Sequence, residues 1–103
     1  EGLPLLSGPE GSSLDVYHML HVIASQLSLL HLQVSRLLLD DHGEWRVVTQ
    51  NGMVLSLGAE RVRERLERFV VLYPQLVVDR KQVMSSVDLR YNNGVAVHWQ
   101  GDE

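Results

Sequence analysis

Asn51-Gly52 separates two runs in which apolar and polar residues alternate, WRVVT at 45–49 and MVLSL at 53–57. No other short feature constrains the chain as tightly. Both residues accept the positive φ of a type I′ turn, whose twist matches that of two antiparallel strands. The segment therefore reads as a hairpin closed by a two-residue turn.

The same alternation returns in VDLRYNNGVAVHW at 87–99. Val87, Leu89 and Tyr91 alternate with Ser86, Asp88 and Arg90, and Val95, Val97 and Trp99 repeat the pattern. Strands are predicted over 85–91 and 95–99, each with one face toward the core and one toward water. An apolar run at 34–39 ends on Asp40-Asp41-His42-Gly43, a composition that favours a turn, and adds a fifth strand. Residues 76–82 read either as a loop or as a short irregular strand.

Two segments follow the helical period instead. Ser12 and Asp15 are spaced like a capping box ahead of a helix over 14–30, and Val16, Leu20, Ile23, Leu27 and Leu30 fall on one stripe of it. A second helix is expected over 59–73, with Val62, Leu66, Phe69 and Tyr73 on its apolar stripe. Arg63/Glu67 and Glu64/Arg68 are spaced as i,i+4 pairs, and Pro74 should stop the helix. The order is then helix, three strands, helix, two strands. Helices interrupted by hairpins imply an α+β fold in two layers, a mostly antiparallel sheet with both helices on one face. Leu3-Pro4-Leu5-Leu6 reads as the middle of a longer polypeptide, and no internal repeat or low-complexity tract is visible.

With 103 residues, 45% of them hydrophobic, the chain suffices for a single domain over 1–103 with one core. It has no cysteine, so neither a disulfide nor a thiolate metal site can staple the fold. Nine Lys and Arg against thirteen Asp and Glu give a net charge of −4, which argues against a nucleic-acid binder because phosphate neutralisation needs clustered positive charge. No run approaches the ~20 apolar residues of a membrane-spanning helix, and EGLPLLSGPEGSS lacks the basic and hydrophobic regions of a signal peptide.

Catalytic chemistry is thinly represented. There is no nucleophile elbow, phosphate loop or zinc-protease helix, so the chain reads as a non-enzyme without a cofactor. His18 and His21, at i and i+3, are close enough to share a metal, yet no third ligand follows at a diagnostic spacing. Partly exposed helix histidines are the plainer reading; a small metal- or ligand-binding domain is the alternative. Asp40-Asp41-His42 reads as a solvated turn with His42 as a candidate contact residue. Arg61, Arg63, Arg65 and Arg68 make the second helix locally basic, a solvated face balanced by Glu60, Glu64 and Glu67.

The last hairpin poses the functional question. If 95–99 is outermost, its unpaired N–H and C=O groups form a template, and no lysine or proline after Asn92 blunts it. One reading is an ordinary terminal hairpin whose Trp99 packs against a helix. The other is an open edge that accepts a partner's strand by β-augmentation, or pairs with a second copy to give a homodimer.

Taken in order, LPLLSGPEGS at 3–12, GEWRVVTQNGMVLSLG at 43–58, RLERFVVLYPQL at 65–76 and VDLRYNNGVAVHW at 87–99 resemble the C-terminal part of the FtsQ/DivIB family of bacterial cell division proteins. The resemblance implies most of a periplasmic β-domain, lacking the transmembrane anchor, POTRA domain and first strand or strands of a single-pass inner-membrane protein at the septum. It further implies a scaffold of the divisome that binds FtsB, with FtsL, by strand addition at its last strand. Position by position, Arg90 and Tyr91 match the DLRY motif, with Tyr91 at the family's partner-contacting tyrosine. Asn93, Gly94, Val95, Val97 and Trp99 fall in the pairing strand. Leu72 and Leu76 match apolar positions expected to floor a groove for a partner aromatic. Two departures stand out. Asp41-His42-Gly43 occupies the place where similar proteins carry an arginine that meets a partner carboxylate, so contact at His42 is expected to be weaker or pH-dependent. His98 replaces a small residue beside the final tryptophan.

Overall fold

The computed structural model describes residues 3–78, 83–92 and 94–101. Within them the order is β1 (Leu5–Ser7), α1 (Ser13–Ser28), β2 (Val34–Leu39), β3 (Trp45–Thr49), β4 (Val54–Gly58), α2 (Val62–Val77), β5 (Met84–Asp88) and β6 (Ala96–Trp99). The strands form one sheet in which each lies beside its neighbour in sequence. β1/β2 and β4/β5 are parallel and the other three neighbours antiparallel, so the expected mostly antiparallel α+β architecture holds.

The placement of the helices follows from handedness. β2/β3 and β3/β4 are both antiparallel, so β4 runs the same way as β1. The crossovers β1-α1-β2 and β4-α2-β5 therefore step sideways in the same direction along strands of the same sense. Such crossovers are right-handed in nearly all proteins, which puts α1 and α2 on one face of the sheet, where they meet each other.

Under the helices runs a cross-strand row, Leu6, Leu37, Val47, Leu55, Val87 and Val97, each residue opposite the next. Its four central members are buried, as are Val16, Ile23 and Leu27 of α1 and Val62, Leu66 and Phe69 of α2 that cover them. Leu20 and Tyr73 pack half-buried against this core, so both predicted helix stripes hold, the first as far as Leu27; Leu30 packs there too, from the turn beyond the helix. Each buried aliphatic or aromatic side chain contributes about 1.5–3 kcal/mol. In a chain without cysteine, this burial is the main source of stability.

Several local expectations are corrected. Residues 5–7 form a strand, pairing parallel with β2. Ser12 stands at the N-cap of α1 as expected, but its side chain makes no capping bond; the hydroxyl donates to the Pro9 carbonyl, closing the preceding turn instead. α1 ends at Ser28, where His31, at φ 60°, turns the chain so that Leu32 N–H donates to Leu27 O at 3.0 Å. The β3–β4 connection is not a two-residue type I′ turn. Thr49 N–H donates to Met53 O and Gly52 N–H to Thr49 O, and Gly52 alone in the connection takes positive φ, giving a three-residue loop with a left-handed glycine. α2 begins at Val62 and continues through Pro74 to Val77. Tyr73 before the proline and Leu76 and Val77 after it pack against the core, which carries the helix past the point where the lost N–H would favour a stop. Leu76 and Val77 are therefore helical, while 79–82 lie outside the described residues.

Candidate functional site

β6 pairs with β5 on one side, and among the described residues no strand pairs with its other side. Three hydrogen bonds fix which groups face that free side. Leu89 N–H donates to Ser56 O at 2.9 Å, so Leu89 and, by alternation, Val87 turn their backbone toward β4. Gln100 N–H donates to Val83 O at 2.7 Å and the Ser85 hydroxyl donates to His98 O at 3.1 Å, so Gln100 and His98 turn theirs toward β5. The N–H and C=O of Val97 consequently point to the open edge. Its side chain closes the core row, with Val95 and Trp99 packed half-buried beside the same core and His98 exposed on the opposite face. Gly94 is half-buried; Asn93 lies outside the described residues.

Strand direction gathers the β2–β3 turn, the link from β4 to α2 and the β5–β6 loop at one end of the sheet. His42, Arg90 and Tyr91 thus share the end at which β6 begins. In the β2–β3 turn, Asp40 Oδ1 accepts from the His42 amide at 2.8 Å and the Glu44 amide at 2.9 Å. The Glu44 amide does most to hold the Asp40 carboxyl below the usual carboxylate range. His42 itself is exposed.

Arg90 and Tyr91 part company. Nε and Nη2 of Arg90 grip the Asp88 carboxylate at 2.9 and 2.7 Å, and Nη1 lies 3.4 Å from Glu44 Oε1. The arginine's hydrogen bonds lower the Asp88 carboxyl, and Asp88 in turn raises the guanidinium above its ordinary value. Arg90 is thereby laid back toward Gly58, away from β6. Tyr91 does not continue the inward alternation of Val87 and Leu89, because β5 ends at Asp88; the residue sits on the loop and is 55% exposed.

On α2, Leu72 and Leu76 are half-buried, with Leu76 against the core. Val71 and Pro74 are exposed at i and i+3, outside the stripe that sequence periodicity singled out, and Val78, exposed and extended, follows the helix end. The arginines of α2 are not uniformly solvated. Arg65 Nη1 donates to Leu57 O at 2.9 Å, and Arg68 reaches the β5–β6 loop. Neither expected i,i+4 ion pair forms among the described residues. Charge counting hid these two arginines, since the nearby glutamates balance them on paper. His18 and His21 lie exposed on α1, with His21 edge-on to Tyr17 at 4.6 Å between ring centres. Among the described residues, no three His, Asp or Glu side chains come together as a metal site would require.

Against known proteins, residues 1–90 match the family described as cell division protein FtsQ/DivIB, C-terminal. The chain is 41% identical over 103 residues to the cell division protein FtsQ of Aliivibrio fischeri, covering 100% of this chain and 40% of that one. It is 39% identical over 94 residues to FtsQ of Vibrio cholerae, covering 91% and 36%. With FtsQ of Haemophilus influenzae it shares 37% over 97 residues, covering 94% and 38%. The chain spans about two fifths of the length of the curated relatives it matches. The family match stops at Arg90, whereas the Aliivibrio match runs on through β6.

Proposed function

The chain belongs to the FtsQ/DivIB family of cell division proteins, and from that premise we propose a non-enzymatic scaffold that binds FtsB by strand addition along β6. FtsL comes with FtsB, and their capture recruits later proteins of the divisome. The domain works in the periplasm, carried there by a longer polypeptide anchored in the inner membrane. Among the described residues no helix is long and apolar enough to supply that anchor.

The observation that carries this reading is the conjunction at β6 of outward backbone groups at Val97 with an exposed tyrosine at the head of the strand. Backbone bonds to an edge supply affinity with little discrimination, and an aromatic anchor supplies the rest. Gly94, Val95 and Trp99 accompany Val97 in the pairing segment, and Asn93 precedes them. The half-buried Leu72 and Leu76 offer apolar surface on α2 for a partner aromatic. His42 and Arg90 stand at the same end of the sheet, where Arg90 reaches a partner carboxylate only by loosening its hold on Asp88. The opposite edge, β1, is three residues long, and short edge strands are poor templates.

Titration of the domain with a peptide from FtsB, followed by calorimetry and amide shifts, tests the proposal. Shifts should centre on 94–100, and Tyr91→Ala should weaken binding by about 2 kcal/mol or more, roughly thirtyfold, with little change in melting temperature. Shifts centred on 5–7, a mutant that merely unfolds, or a domain that pairs only with its own copy would each overturn it.

A further inference from the structure

Arg68 lies midway along α2, in the run of arginines whose charge is balanced by Glu60, Glu64 and Glu67. Its guanidinium faces the loop that follows β5. Nη2 donates to Leu89 O at 3.0 Å and to Tyr91 O at 2.8 Å, while Nη1 donates to Asn92 O at 3.1 Å. Three carbonyls from four consecutive residues thus converge on one planar group. Nε is buried without a hydrogen-bond partner among the described residues, so the carbonyls dictate how the group is turned.

At its start the loop is held by Leu89, buried and bonded to Ser56, and by Arg90, whose N–H and guanidinium are bonded to Asp88. Tyr91 and Asn92 beyond them are exposed, and among the described residues only Arg68 hydrogen-bonds their carbonyls. A cavity of about 70 Å³ lined by Arg61, Glu64, Arg65, Arg68, Tyr91 and Asn92 lies between α2 and the loop, so beyond Leu89, which is buried in the core, apolar packing does not fasten the two together. We propose that Arg68 is the positioning residue of this loop, fixing the backbone from Leu89 to Asn92 so that the Tyr91 ring stands ready at the head of β6. The proposal rests on the reading of Tyr91 as a partner anchor. A loop ordered in advance loses less freedom on binding, and a lysine in the same place, a compact point donor, cannot span three carbonyls as the guanidinium fork does.

The test uses Arg68→Lys, with Arg68→Gln read in the same way as a second variant, each made alone and combined with Tyr91→Ala. In the free domain, nitrogen relaxation at Tyr91 and Asn92 should fall from rigid order parameters near ~0.85 to below ~0.6, while the β5 and β6 amides stay rigid. Affinity for the FtsB peptide should drop about tenfold beside an intact Tyr91 and less than about twofold in the Tyr91→Ala background, where no ring is left to position. An unchanged loop overturns the proposal. So does an equal loss in both backgrounds, which a general structural defect would produce. If the unmodified domain takes up no peptide, the partner reading fails, and the relaxation measurement alone then upholds or overturns the clamp.

Discussion

Gly58 is the residue at which local geometry is least forgiving. Its φ is +79°, and a Cβ there would run into the Arg65 guanidinium and stand 3.2 Å from Arg90 Cγ. Arg65 passes over this position to reach Leu57 O, so the glycine provides both the left-handed backbone and the space. Gly58→Ala is expected to lower stability by about 1–3 kcal/mol in urea unfolding, because the strained conformation and the displaced arginine act together. Asp88 offers a gentler test of the same neighbourhood. Arg90 holds the Asp88 carboxyl below its unfolded value, so the pair's contribution is fully present above the unfolded value of about 3.9 and is lost as pH falls through the lower folded value. Because the Arg90 side chain is 46% exposed, solvent limits that contribution to about 0.2–1 kcal/mol. Asp88→Asn should therefore cost this much at neutral pH and nothing once the native carboxyl is protonated, as denaturant midpoints across a pH series would show.

Among the elements, β6 carries the prediction that separates binding from folding. Val97→Pro removes an N–H that points to the open edge, whereas His98→Pro puts a proline where the backbone faces β5. The first should abolish FtsB-peptide binding with a modest fall in melting temperature; the second should cost more stability. If the two variants melt alike, the assignment of outward groups is wrong. The sequence foretold the faces of this strand but not its backbone orientation, which follows from the turn of Leu89 and Val87 toward β4 and the pairing of Val87 with Val97. Strands of four to six residues and both helix stripes were legible because periodicity needs only a few repeats to declare itself. β1 was not, since three exposed residues have no period and acquire meaning only when α1 returns the chain to pair β2 with them. Pro74 misled for a different reason. Local preference favoured a stop, and core packing by the residues around it carried the helix onward. At the candidate site, Tyr91 was legible as a motif, while its exposure and its tether to Arg68 required knowing where β5 ends.

At the largest scale, the described residues make one β-α-β-β arrangement used twice, β1-α1-β2-β3 followed by β4-α2-β5-β6. No sequence repeat announces it, because such a unit asks only for apolar residues at the right periods, and many side chains satisfy that. The duplication bears on how the sheet can grow. β3, the closing strand of the first unit, receives β4, the opening strand of the second, in antiparallel register. β6 closes the second unit in the same sense, so a strand arriving by the same rule lies antiparallel to it. Antiparallel pairing also gives straighter hydrogen bonds than parallel pairing and is slightly more stable per residue. A nitroxide at the amino end of the FtsB peptide strand should then broaden the amides of Trp99 and Gln100, and one at the carboxyl end should broaden Ala96. The reverse pattern would mean parallel addition, and the internal duplication would then say nothing about how the partner docks.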